Sequence, residues 1–290
     1  MQQKKFHRII VKNTGLFGIS QIVKITVRIF SNKVAAIFLG PIGIGMIGLL
    51  ENILGLIQGF TNFGIADSSV REIALADQDK TENTSKKLIK VVYKWAFITG
   101  VLGFMVAVLF SKQINATVFE NKIHHLWVAS LGIYFIFNAI ATIRIAVLQA
   151  KKRVALIVKH SVFTAIASSL IAVIGYYTYG IDGIIPVIIL SALSSFLLSF
   201  YFTRTIEVSS KKITLKQAYQ NGLPMAKLGL LLSASAVFGQ ICFYIIRWFL
   251  KTYYSYEILG VYQVSHTILV GYLGLVFVAM SNDFYPRLCN

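Results

Sequence analysis

Two neighbouring stretches decide the fold class: SVFTAIASSLIAVIGYYTY at residues 161–179 and IIPVIILSALSSFLLSFYF at residues 184–202. Neither contains a charged side chain. Each is long enough to carry a helix through a hydrocarbon core, which takes about 20 predominantly apolar residues. The other structure that satisfies its backbone in lipid is the closed β-barrel, whose strands alternate polar and apolar residues over about 10 positions. These stretches do not alternate, so they are read as helices. Similar runs occupy 91–110 and 126–147. Reading outward from them predicts eight transmembrane helices at 13–39, 43–65, 88–110, 125–149, 156–179, 183–203, 222–250 and 257–281. The chain as a whole agrees. Of its 290 residues 56% are hydrophobic and 13% charged, with a mean hydropathy of +0.71. A water-soluble domain carries about 25% charged residues. The expected class is all-α, a polytopic helical membrane protein.

The net charge of +17 would suggest a nucleic-acid partner in a soluble protein, but its placement points elsewhere. One alternate set of connections holds Lys4, Lys5, Arg8 and Lys12, then a cluster from Arg71 to Lys94, then Lys151, Lys152, Arg153 and Lys159. It continues with Arg204, Lys211, Lys212 and Lys216, and ends at Arg287. The opposite set holds Lys112, Lys122 and Lys251. The count is 19 basic residues against 3, and the positive-inside rule places the rich side and the N-terminus in the cytoplasm. No nucleic acid is expected; anionic membrane lipid is the natural neighbour of such a face. Cys242 and Cys289 make no CxxC pair or disulfide framework. Residues 1–12 read as a basic lead-in and not as a cleaved signal. The longest connection, 66–87, contains Asp67 to Ala74 and reads as a short helix on the membrane surface.

Ionisable residues inside spans are costly and draw attention to function. In the first helix Thr14, Gln21, Lys24, Arg28, Ser31 and Asn32 share one stripe at 100° per residue, with Lys33 on another face. A cationic stripe lining an aqueous cavity would receive an anionic substrate; the plainer alternative is snorkelling of the long side chains. Helix two places Glu51, Gln58 and Asn62 on one face, with Glu51 within about 5 Å in depth of Arg28, so the two form a candidate ion pair. Helix seven carries Ser233, Gln240, Tyr244 and Arg247 on one stripe. His266 lies inside helix eight as a candidate relay or packing histidine. Arg144 reads as a snorkelling anchor. Candidate substrate-binding residues are therefore Lys24, Arg28, Gln21, Gln240, Tyr244 and Arg247, with Glu51 and His266 as coupling or ion-pair candidates. No cofactor or metal is expected: His124-His125 is a poor metal motif because adjacent helical positions point apart.

Residues 40–73 and 255–288 can be superposed at a constant offset that matches Gly45 with Gly260, Gly59 with Gly274 and Glu51 with His266. The pattern suggests that helix seven opens a second copy of a six-helix unit. The expected organisation is a basic N-terminus (1–12), a first six-helix bundle (13–205), a cytoplasmic linker (206–221) and the first two helices of a second bundle (222–290). On that reading the second copy stops after two helices, as in a truncated product or incomplete gene model.

The stretch from Asn13-Thr14-Gly15 to Lys33, the segment Phe38-Leu39-Gly40-Pro41-Ile42-Gly43-Ile44-Gly45, and Thr61-Asn62-Phe63-Gly64-Ile65 followed by Arg71 carry a resemblance. Together they resemble the opening of bacterial lipid-linked oligosaccharide flippases. The likeness is greatest to the Wzx-type O-antigen translocases of the multidrug/oligosaccharidyl-lipid/polysaccharide exporter superfamily. The resemblance implies twelve or more helices in two bundles and alternating access of a central cationic cavity. It also implies an undecaprenyl-pyrophosphate-linked glycan carried across the bacterial inner membrane, with a polysaccharide polymerase and glycosyltransferases as partners, and no enzymatic reaction. The rivals are a drug or cation antiporter of the same superfamily, a membrane-embedded glycan polymerase or ligase, and a non-transporting scaffold. The polymerase needs acid, base or nucleophile groups gathered at one place, and the short outer connections hold no paired carboxylates.

Overall fold

A computed structural model of the chain describes residues 2–78, 82–120, 124–208 and 214–273. Among them the secondary structure is helical: α1 (Gln2–Thr61), α2 (Ile65–Gln78), α3 (Glu82–Leu109), α4 (Ser111–Phe119), α5 (His125–Ala129), α6 (Gly132–Ala150), α7 (Val154–Tyr179), α8 (Ile184–Thr203), α9 (Leu215–Tyr253) and α10 (Tyr256–His266), which runs on as a π-helical turn to Leu273. Among the described residues, five stretches are long and apolar enough to cross a membrane: Gln21–Thr61, Thr84–Leu109, His125–Ala150, Val154–Thr203 and Ser233–Tyr253. The first and fourth, at 41 and 50 residues, are each about twice the span length. Each is folded back at a glycine. Gly40 adopts φ 64 and ψ −173, ahead of Pro41. A proline disfavours helix in the residue before it, and glycine takes the positive φ without a Cβ clash. Gly180 (φ 53) ends α7 and a 3-10 turn, Gly180–Gly183, leads into α8. The protein is a multi-pass, all-α membrane protein.

The boundaries differ from expectation in several places: α1 already begins at Gln2, within the expected lead-in, α3 begins at Glu82, and α4 was not expected. The second half of α1 ends at Thr61, because Phe63 and Gly64 turn with positive φ, and the surface helix begins at once with Ile65. The fourth span is broken after Ala129, where the Ser130 hydroxyl donates to the Trp127 carbonyl. The seventh helix starts at Leu215, so part of the linker is helical. Residues 274–281 of the eighth expected span lie outside the described residues, as do Gly274 and Arg287 of the repeat.

α2 buries Ile65, Ser68, Ser69, Ile73 and Ala76 on one face and exposes Asp67, Arg71 and Leu75. It rests against α3, α6 and α9. Its last turn is tied down by Lys151, whose Nζ donates to Asp77 Oδ1 (2.7 Å) and Ser85 Oγ (2.9 Å). Nearby, Lys86 pairs with Glu207 at 2.5 Å. Burial tends to raise the Asp77 pKa, but the hydrogen bonds from Lys151 and Ser85 and the Lys151 charge prevail and hold it below the usual 3.8. A carboxylate with a depressed folded pKa stabilises above its unfolded value and loses that contribution as pH falls through the folded one. Asp77→Asn is therefore expected to cost about 0.5–1 kcal/mol at pH 7, read as a lower thermal unfolding midpoint in detergent. The difference from wild type should disappear as pH drops below the folded value.

Lipid offers helices little hydrophobic reason to associate, so small residues that let backbones approach carry much of the packing. The second half of α1 supplies three, and the turn after it a fourth. A Cβ on Gly45 would lie 2.7 Å from the Tyr256 carbonyl oxygen and 3.1 Å from the Gly260 nitrogen; one on Gly260 would strike the Pro41 carbonyl. Gly48 makes room for Gln263, Gly59 for Val237, and Gly64 abuts the Gly229 backbone. Helix two thus crosses α10 at its Gly40 end and α9 at its Gly64 end. Gly45 faces Gly260 and Gly48 faces Gln263, so both contacts join residues related by the offset of the internal repeat.

Candidate functional site: polar cavities along helix two

Four of the cavities among the described residues border the second half of α1. The main cavity, about 580 Å3, is enclosed by both halves of α1 and by α6, α7 and α8; Arg28, Glu51 and Gln58 are on its wall. A Gly40-side cavity of about 300 Å3 shares Arg28, Asn32 and Glu51 and adds Lys33, Gln263 and Thr267. A Gly64-side cavity of about 360 Å3 shares Gly55 and Gln58 and adds Asn62, Asp67, Ser233 and Gln240. The fourth, about 380 Å3, is apolar: Ile53, Leu56, Ile57 and Phe60 face Val106, Phe110 and Tyr244. Helix two is therefore two-sided, with Glu51, Gly55, Gln58 and Asn62 on polar cavities and Ile53, Leu56, Ile57 and Phe60 on the apolar one.

Arg28 and Glu51 are the charges common to the main and Gly40-side cavities. They form no salt bridge among the described residues, so the expected ion pair is not made. Both side chains are open to the cavity space, although Glu51 lies deep among the helices and within electrostatic reach of Arg28 and Arg247. An unpaired guanidinium facing a cavity inside a span demands water or an anion beside it. Lys24 and Gln21 are half-buried and are not among the lining residues of these cavities; Lys24 sits one turn before Arg28 on the same stripe.

The expected stripe of helix seven is divided. Ser233 and Gln240 face the Gly64-side cavity, and Gln240 Oε1 accepts from Asn52 Nδ2 (2.5 Å). Tyr244 faces the apolar cavity instead. Arg247 is 5% exposed: its Nε and Nη2 donate to Gln263 Oε1 at 3.2 and 3.0 Å, and its Nη1 donates to the Phe243 carbonyl. That guanidinium is committed to holding α9 on α10. His266 packs edge-on to Phe243, ring centroids 4.8 Å apart, and its Nε2 is buried without a hydrogen-bond partner. Arg144 turns inward and does not snorkel. It donates to Thr203 Oγ1 (2.6 Å) and lies over the Phe200 ring, 3.3 Å from the centroid. His124 and His125 stack with centroids 4.6 Å apart, because His124 is the extended N-cap of α5 and escapes the helical geometry that would separate them. Among the described residues no cluster of His, Cys, Asp or Glu is placed to hold a metal.

Attention to ionisable groups alone missed Asn138, Ser168, Ser191, Ser195, Tyr134 and Tyr176, which all line the main cavity. Their signal was present in the sequence as helical spacing inside apolar spans: Tyr134 with Asn138, Ser191 with Ser195, and Ser168 with Tyr176 two turns on.

A family described as polysaccharide biosynthesis protein matches residues 10–290. The chain belongs to that family. No curated protein matches it. Among solved structures, this member of the polysaccharide biosynthesis family is similar to an inward-facing multidrug resistance MATE family transporter of the MOP superfamily. The TM-score is 0.58 at 14% identity, covering 88% of this chain and 62% of that one. It is also similar to a MOP superfamily transporter from Pyrococcus furiosus whose binding pocket has reversed polarity, suggesting a different function. There the TM-score is 0.53 at 15% identity, covering 87% and 63%. At such identity the likeness is one of fold. The polysaccharide biosynthesis chain spans about three-fifths of the length of these two transporters.

Proposed function

We propose that this protein is a flippase that passes the polar head of a lipid-linked oligosaccharide, an undecaprenyl-pyrophosphate-linked glycan such as an O-antigen unit, across the bacterial inner membrane by alternating access. The observation that carries the reading is Arg28, a cation inside a span, open to two cavities and free of any salt bridge among the described residues. A pyrophosphate cannot enter hydrocarbon uncompensated, and a guanidinium offers it paired, charge-assisted hydrogen bonds. Membership of the polysaccharide biosynthesis family supports the glycan, and the fold supports transport over catalysis. The contacts of Gly45 with Gly260 and Gly48 with Gln263 support a duplicated unit, with 13–205 as the first bundle, 206–221 as linker and 222–290 opening the second. A two-fold axis through the crossing would bring matched residues together in this way. The charge asymmetry supports a cytoplasmic N-terminus. A polymerase and glycosyltransferases of the same glycan would be its partners.

The second reading, a drug or cation antiporter, draws on Glu51, whose carboxylate opens into the same cavity and would suit a cationic substrate. Proteoliposomes loaded with the protein separate the two. A fluorescent short-chain prenyl diphosphate bearing one sugar should cross leaflets at a protein-dependent rate, while a lipophilic cationic dye should not. Movement of the dye alone would replace the first reading by the second.

A further inference from the structure

We propose that the main cavity is a sugar-recognition subsite selecting an uncharged, hydroxyl- and N-acetyl-bearing sugar of the lipid-linked glycan; this rests on the flippase reading and names the part of the substrate the cavity reads. Its wall is mostly neutral and polar. The charges lining it are Arg28 and Glu51, which cancel formally. The polar side chains of Asn138, Ser191, Ser195, Gln58 and Tyr134 have no hydrogen-bond partner among the described residues, although each sits between helices within the span. In a span, unpaired amides and hydroxyls are expensive unless water or a ligand completes them. Ser168 shows the alternative: its hydroxyl is satisfied by the Thr164 carbonyl at 2.7 Å. The Ser195 hydroxyl is left free, while its carbonyl is used by His160 Nε2 at 3.2 Å.

A sugar ring matches this inventory. Its hydroxyls donate and accept, as do serine and tyrosine hydroxyls, and an acetamido group pairs with the amides of Asn138 and Gln58. Its C–H faces suit an aromatic neighbour, and Tyr134 and Tyr176 are among the lining residues. At about 580 Å3 the cavity is of small-ligand size. Arg28 is shared with the Gly40-side cavity, so a diphosphate bound there leaves the attached sugar to enter the main cavity. Glu51 borders both cavities: beside the diphosphate its charge is offset by Arg28 and Lys33, whereas in the main cavity, without Lys33, it repels a carboxylate and disfavours acidic sugars.

The test uses the purified full chain in lipid nanodiscs and titration calorimetry with three probes: a short-chain prenyl diphosphate without sugar, the same with one N-acetylhexosamine, and the same with one hexuronic acid. The N-acetylhexosamine probe should bind more tightly than the bare diphosphate, on the order of tenfold to a hundredfold, and the hexuronate no more tightly than the bare probe. Asn138→Ala and, separately, Ser191→Ala with Ser195→Ala should each erase most of that advantage while leaving bare diphosphate binding unchanged. A sugar that adds nothing, an advantage that survives both variants, or variants that lose bare diphosphate equally would overturn the subsite. Bare diphosphate binding with no sugar advantage sinks the subsite alone. Sugar-dependent binding lost in the serine variant, with no binding of the bare probe, supports the subsite and sinks the role given to Arg28. Failure of all three probes sinks both.

Discussion

Replacing Arg28 with glutamine is expected to lower transport of a diphosphate-linked sugar in proteoliposomes by about a hundredfold. A charge-assisted hydrogen bond to a partly desolvated phosphate is worth about 1.5–3 kcal/mol, and glutamine keeps a neutral donor while losing the charge and the bidentate geometry. Lys24→Gln should cost only a few-fold, since Lys24 is not on the cavity wall. The double variant should resemble Arg28→Gln alone. Insertion into the membrane should be unaffected, because Arg28 makes no salt bridge among the described residues. Equal losses from the two single variants would instead indicate a diffuse positive field acting from the whole stripe.

The largest expected effect on stability lies at Gln263. Arg247 is buried and has Gln263 Oε1 as its side-chain acceptor, reached by two nitrogens. Gln263→Leu leaves that guanidinium buried with the weak contact to the Phe243 carbonyl, the Phe243 and Tyr262 rings and the more distant Glu51 charge. Losing the hydrogen bonds of a buried charged group costs about 1.5–3 kcal/mol, which should appear as a clear fall in the thermal unfolding midpoint in detergent. Adding Arg247→Leu should recover most of the loss, because removing both partners avoids the desolvated orphan. If the double variant is no more stable than the single one, Arg247 serves something besides this clasp.

The helical class and most spans were legible because a bilayer imposes a length and a polarity that few sequences satisfy by accident. Gly40-Pro41 announced its own bend, since proline and positive φ act locally. The break after Ala129 and the early start of α9 were not legible; they depend on how neighbouring helices meet. At the site, Arg28 and Glu51 line the same cavities, but spacing along one helix says nothing of the partner opposite. Arg247 and Gln240 looked equivalent on their stripe. Packing separated them, giving Arg247 to Gln263 and leaving Gln240 at a cavity wall. Arg144 looked like an anchor at a helix end, and only the approach of α8 turned it onto Phe200. The neutral cavity residues were overlooked because a serine or asparagine in an apolar span is cheap to place and becomes informative only when several helices aim theirs at one point.

On the flippase reading, Arg28 and the serines opposite it face water inside the membrane-spanning region. Cysteine accessibility tests this directly, because a thiol reacts as thiolate and thiolate forms in water and not in hydrocarbon. In a chain with Cys242 and Cys289 replaced by alanine, Arg28→Cys and Ser191→Cys are predicted to react readily with a charged, membrane-impermeant thiosulfonate. Leu170→Cys, on the outward face of α7 at 58% exposure, is predicted to stay unmodified. Inert cysteines at positions 28 and 191, with labelling no greater than at position 170, would contradict the aqueous cavity and the transport reading built on it.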